Sequence, residues 1–339
     1  MAEKELDRRK LLEKAIRNEE VEKVPCGFWH HFVLGRDQFT AVGNPSLQNR
    51  IFEGHVRYFN TVHPDFMKCM NEGFMGYPPI MNNPLENGED LKKIKSIGED
   101  DPWITEQVTY VKRLCDAFTD QVMVFYNVFA PLQILRIRFD FLDHQYDKFV
   151  YLAEHYPKQL HDAGMIIQHD FITLIRKLFT ETRLDGIYYC VQNVQSDLYD
   201  EKMYREIIMP TEIELLRKAN ELHDNNILHI CGYAHHENNL HFYKDYQAKI
   251  YNWATYTEGI SLQEGKKLFN GACVLGGFDN NPGTLIDTGS KEEICAHVKK
   301  LIDENGFRGF ILGADCSIPN DIDDSRVRWI SDATYDFMK

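Results

Sequence analysis

The sequence predicts an α/β fold in a single domain spanning 1–339. The expected architecture is a (β/α)8 TIM barrel with an extra N-terminal helix and a long helical insertion between the third and fourth strands. Three observations predict it. First, short apolar runs, mostly without polar alternation, are separated by amphipathic stretches, the pattern of parallel strands buried on both faces by helices. Second, there are eight such runs, a count that favours a closed barrel over an open doubly wound sheet, which is the alternative. Third, no Gly-x-Gly-x-x-Gly turn follows the first run and no Walker A motif occurs, which weakens a nucleotide-binding reading.

In chain order, residues 3–20 are highly charged, with Leu6, Leu11, Leu12 and Ile16 near helical spacing, and read as a surface helix over 1–20 packing on the barrel. The strands are expected at 24–29, 65–69, 122–127, 185–190, 226–232, 249–253, 272–277 and 309–313. A helix over 108–118 precedes the third strand. The insertion, 132–182, is helical with breaks expected at Pro157 and Gly164. Further helices are expected over 203–223 (kinked near Pro210), 261–269, 290–304 and 324–337. The spacing from Ser290 to Glu293 is that of a capping box.

A net charge of −14, from 38 basic and 52 acidic residues, argues against nucleic acid or an anionic membrane as partner. No apolar run approaches transmembrane length. The N-terminus lacks an apolar secretory region, and eight cysteines without a close framework suit reduced thiols. The expected location is the cytoplasm.

In a barrel the active site lies at the C-terminal ends of the strands. His229 and Cys231 sit two apart at the end of the fifth expected strand, so their side chains share a face. Cys316 follows the eighth. Imidazole and two thiolates are a ligand set that zinc prefers, and three protein ligands leave a fourth position open, as in catalytic sites. The competing reading is a hydrogen-bonded core histidine and two buried thiols. Among the other strand-end residues, His30 and His31 are candidates for proton transfer, and Asp315 for supporting a ligand, although alternation points it away from the site. Trp29, Tyr126, Asn127, Gln192, Asn193 and Asp279 are candidate substrate contacts, with a turn role as the alternative for Asp279. His235 and His236 read as loop residues rather than competing ligands. Cys26, Cys115, Cys273 and Cys295 read as core or helix-face cysteines.

The strings His-Ile-Cys-Gly (229–232), Gly-Gly-Phe-Asp (276–279) and Gly-Ala-Asp-Cys (313–316), with the Asn252–Trp253 pair, resemble the uroporphyrinogen decarboxylase superfamily. Within it the chain is most similar to the zinc-dependent, cobalamin-linked methyltransferases of the methylcobamide:coenzyme M type. That resemblance implies a (β/α)8 barrel with zinc on His229, Cys231 and Cys316, a thiol or other C1 acceptor, and a corrinoid protein as partner. The chain carries no Asp-x-His-x-x-Gly motif, so methylcobalamin is expected on the partner. A homodimer is compatible. The decarboxylases themselves carry an Arg-Gln-Ala-Gly-Arg-Tyr segment after the first strand; this chain has Phe28, Trp29, His30, His31 and Phe32 there. The expected function is zinc-dependent methyl transfer from a corrinoid protein to a thiol. Cofactor-free decarboxylation of a porphyrinogen and a non-catalytic metal- or corrinoid-binding role are the alternatives.

Overall fold

In a computed structural model of the chain, the described residues are 6–192, 201–232 and 237–338. Among these residues seven strands form one sheet: β1 (Phe66–Cys69), β2 (Met123–Phe129), β3 (Gly186–Val191), β4 (Ile227–Ile230), β5 (Ile250–Trp253), β6 (Cys273–Phe278) and β7 (Phe310–Ala314). They are hydrogen-bonded in sequence order, and every pairing is parallel. All seven are buried along their length, which is why they read as continuous apolar runs.

Seven strands stand where the sequence predicts eight. The first expected strand, 24–29, makes only a one-residue parallel bridge between Cys26 and Leu312. The Leu312 amide donates to Pro25 O and the Gly27 amide to Leu312 O, while the Asp65 amide donates to Cys26 O. The segment therefore lies between β7 and the start of β1, where an eighth strand would stand. Its composition explains why it stops at a bridge. Pro25 has no N–H to give a ladder. Gly27 crosses so close to β1 that a Cβ would lie 2.4 Å from the Phe66 ring. Beneath it, Lys23 and Asp65, both fully buried, form an ion pair at 2.5 Å, and Asp65 also accepts from the Cys26 amide.

The helices follow the predicted order with some corrections. The N-terminal helix is shorter than 1–20, running over Arg8–Ile16 with Asp7 as its cap. A helix over Pro45–Val62, to which the sequence pattern assigns nothing, buries Leu47, Ile51, His55, Tyr58 and Phe59. Between β2 and β3 the chain passes through helical segments at Pro131–Ile137, Arg138–Asp143, Lys148–His155 and Pro157–Glu181. Pro157 opens the last of these, as a proline at a first turn should. Gly164 does not break it. A Cβ there would lie 2.8 Å from Thr211 Cγ2, so this glycine lets the helix over Met209–Leu222 approach. Both Ser261 and Ser290 form capping boxes. All eight cysteines are free, and no described helix is long and apolar enough to cross a membrane.

Candidate metal centre and its cavity

Parallel register sets the level of the site. Cys190 on β3 is paired with His229 on β4, and His229 with Asn252 on β5. Cys231 lies one residue beyond β4 and Cys316 two beyond β7. His229 Nε2 lies 3.5 Å from Cys316 Sγ, and the two sulfurs are 3.8 Å apart. All three ligand atoms fall within 4.8 Å of one another.

These distances test whether a metal fits. With Zn–S of about 2.3 Å and Zn–N of about 2.0–2.1 Å, tetrahedral angles separate two sulfurs by about 3.8 Å and sulfur from nitrogen by about 3.5 Å. The two separations that involve Cys316 agree, and His229 and Cys231 lie within 4.8 Å, so the donor set and its spacing suit zinc. The sulfurs are in hydrogen-bond contact. Contact with Cys231, with the charge of Lys68 nearby, holds the Cys316 thiol well below its ordinary range, while contact with Cys316 and burial push Cys231 well above it.

Asn252 orients the histidine. Its Nδ2 donates to Leu275 O and Ala314 O, so its Oδ1 must face His229 Nδ1, 2.5 Å away, and the Tyr188 hydroxyl. The Cys231 end is held by Asn238, whose Nδ2 donates to Cys231 O and to Glu258. Gly232 is required by space, since a Cβ would lie 2.5 Å from that of Ala254.

The three groups open onto a cavity of about 170 Å³, also lined by His31, Lys68, Asn127, Cys190 and Gln192, and by Met70, Met75 and Phe129. Three larger depressions, about 480, 590 and 350 Å³, lie on other parts of the surface and contain no cysteine.

The remaining expected residues separate by strand parity. His31 lines the cavity, and its Nδ1 donates to Glu72, a fully buried carboxylate that also accepts from the Phe32 amide. His30 turns the other way, toward Asp324 and the closing helix Asp324–Asp336, and is not a cavity residue. Asn127 lines the cavity, donating to Asn71 and accepting from the Cys190 thiol. Tyr126, one residue earlier, points outward and donates to Gln107 on the helix Pro102–Phe118, so it does not face a ligand here. Asp315 is likewise turned away from its neighbour Cys316. It accepts from Thr255 Oγ1 and the Tyr256 amide, and burial pushes its carboxyl up to about 7. Trp29 packs behind the site, its ring 5.0 Å from that of Tyr188 and 6.3 Å from that of His229. Asp279 sits in a turn and accepts from the amide and side chain of Asn281, outside the cavity. Gln192 is a cavity residue. Asn193, His235 and His236 lie outside the described residues.

Four residues with a part in this site were not assigned one from the sequence: Lys68, Glu72, Cys190 and Asn252. Lys68 was the most legible, because a lysine inside an apolar strand buried on both faces is unusual. Its ammonium lies 4.4 Å from the Trp29 ring and 4.0 Å from that of Tyr188, and burial pulls it below the usual lysine range. Cys190 is pushed up to about 12 by burial and stays a thiol.

The family profile described as uroporphyrinogen decarboxylase (URO-D) matches residues 62–337. Among solved structures, a methyltransferase from Methanosarcina mazei superposes with a TM-score of 0.72 at 16% identity, covering 98% of this chain and 99% of that one. A B12-independent methionine synthase from Shewanella sp. W3-18-1, in complex with selenomethionine, superposes with a TM-score of 0.56 at 11% identity, covering 92% and 97%. At these identities the likeness is one of fold. No curated protein matches in sequence.

Proposed function

The chain belongs to the uroporphyrinogen decarboxylase family, and from that premise we propose that it is a zinc-dependent methyltransferase that moves a methyl group between a corrinoid protein and a small thiol. The observation that carries this reading is the His229–Cys231–Cys316 cluster, spaced for a tetrahedral ion and facing a cavity on its open side. The names of the two structural neighbours support methyl transfer; the methionine synthase is named as B12-independent, so the corrinoid donor rests on the motif resemblance.

His229, through Nε2, and the two thiolates would hold the ion. When bound, zinc supplies the positive charge that keeps an acceptor thiol as its thiolate at neutral pH, where a free thiol with pKa about 8.5 is mostly protonated. The rest falls to the chain. Asn252 keeps the proton on His229 Nδ1 and so keeps Nε2 free to coordinate. His31, with its Nδ1 proton held by Glu72, has Nε2 free to take the proton that the acceptor loses. Met70, Met75 and Phe129 keep the cavity wall apolar, which favours a compact acceptor and excludes bulk water. The methyl donor in this reading is a methylated corrinoid carried on a separate protein that docks at the cavity mouth.

Decarboxylation of a porphyrinogen fits less well. Such a substrate carries many carboxylates, and Lys68 is the one lysine or arginine among the described residues lining this small cavity.

The test is metal analysis of the purified protein alongside Cys231→Ala and Cys316→Ala, then thiol-dependent demethylation of methylcobalamin followed by its visible spectrum. The wild type should hold about one zinc per chain and catalyse the transfer, and each variant should lose both. Unchanged zinc in the two variants would sink the reading.

A further inference from the structure

Lys68 is 4% exposed, and among the described residues its ammonium has no carboxylate and no hydrogen-bond acceptor. Its contacts are the faces of Trp29 and Tyr188, and across the cavity it faces the thiols of Cys190, Cys231 and Cys316, the last two of which a bound zinc would neutralise. Every other buried lysine or arginine described has an anionic partner: Lys23 has Asp65 and Arg136 has Asp140. A buried charge is retained when something pairs with it, and ring faces alone are a weak substitute for a carboxylate. The other charged side chain lining the cavity, Asp140, is paired with Arg136, and Glu72 behind His31 is matched to that imidazole, so Lys68 is the charge left without an anionic side chain of its own.

We propose that Lys68 is the charge-determining residue of this cavity: it is the counter-cation for one negative charge that the ligand brings, so the cavity selects a small monoanion. This deepens the methyltransferase reading and rests on it only for the identity of the ligand. The charge has two possible sources, the acceptor's own thiolate sulfur or a separate acidic group on the acceptor. In either case Lys68 acts on binding rather than on bond-making. Lys68→Met keeps length and apolar bulk and removes an unpaired buried charge, so the variant should fold. Lys68→Arg keeps the charge.

The first arm uses metal-free protein and needs no enzymatic activity. The rates at which iodoacetate (anionic) and iodoacetamide (neutral) alkylate Cys231 and Cys316 are compared by mass spectrometry. The ratio should favour iodoacetate in the wild type and in Lys68→Arg, and fall severalfold in Lys68→Met. An equal ratio in wild type and Lys68→Met overturns the proposal, whatever the zinc content. The second arm uses zinc-loaded protein and measures binding of 2-mercaptoethanol and of 3-mercaptopropionate by titration calorimetry. Weakening of both by about tenfold or more in Lys68→Met identifies the thiolate as the charge; weakening of the acid alone identifies the carboxylate. If neither is weakened the proposal falls, although the methyltransferase reading stands. If the zinc-loaded wild type binds neither thiol, the methyltransferase reading falls, and the alkylation ratio alone decides the role of Lys68.

Discussion

The Asn252 side chain decides which nitrogen of His229 carries the proton. Its amide donates to two main-chain carbonyls, Leu275 O and Ala314 O, so its oxygen is the atom that meets His229 Nδ1. An amide oxygen only accepts, so Nδ1 is the protonated nitrogen and Nε2 presents its lone pair toward Cys316. The tautomer a metal needs is thus built into β5, one strand away from the ligand itself.

Replacing Asn252 by Ala should leave His229 free to take either tautomer and to rotate. Zinc affinity should drop about 10- to 100-fold, as is typical when the partner of a metal-bound histidine is lost. Competition with a chromogenic chelator measures it, and an affinity equal to wild type would show that the Asn252 contact does not matter.

His31 and Glu72 make a separate prediction, about rate rather than metal. His31→Ala should lower thiol methylation by about 100-fold, the usual contribution of a positioned proton acceptor, while zinc content stays at the wild-type level. Steady-state kinetics with parallel metal analysis separates this outcome from simple loss of the site.

The Lys23–Asp65 pair underlies the segment that bridges β7 to β1. Lys23→Met strands a fully buried carboxylate and should cost about 3–5 kcal/mol of stability. Replacing both residues with apolar ones of similar volume should restore much of that. Urea unfolding of the single and double variants checks the pair.

Glu212, 1% exposed, accepts from the hydroxyls of Tyr204 and Tyr246, yet burial pushes its carboxyl up to about 7 from an ordinary value of 4.5. Between those two values the folded chain holds a proton that the unfolded chain has lost. Stability therefore falls as pH rises through the window, by up to about 3 kcal/mol for this group, and returns on acidification. Glu258 and Asp315 are raised to about 7 as well and act in the same direction. Glu212→Gln should flatten one share of the pH dependence between about 4.5 and 7 and leave the rest. Urea midpoints at a series of pH values measure it.

Two of the three candidate metal ligands, His229 and Cys231, were legible because a single parity decides them: residues two apart at the end of β4 must face the same way. Where the sequence offered neighbours, parity was undetermined for His30 and His31 and for Tyr126 and Asn127, whereas alternation already pointed Asp315 away from the site. Of His30 and His31, Tyr126 and Asn127, and Asp315 and Cys316, only the second of each pair lines the cavity. Strands buried on both faces carry no polar alternation from which to choose. The seven paired strands were also legible, within a residue or so at most ends, whereas the segment at 24–29 looked as apolar as they did. Pro25 was a visible warning; the other obstacle, the close crossing of Gly27 over Phe66, is a three-dimensional fact. Asn252 and Glu72 were out of reach for the same reason, since each acts on a residue from another segment.

The thin closure between β7 and β1 has a mechanical side. Four main-chain hydrogen bonds, from Gly27, Leu312, Asp65 and Ile318, tie the bridging segment there, while continuous ladders join the neighbouring strands elsewhere. Local opening begins where the fewest bonds must break, so the amides of Gly27 and Asp65 should exchange with solvent before those of the β2–β3 ladder. Cys316 is presented from β7, beside that thinner closure, whereas His229 and Cys231 come from β4, which is laddered on both edges. Two of the candidate ligands are thus anchored by continuous ladders and the third by a strand laddered on one edge, so loss of the bridging segment's bonds would reach Cys316 first.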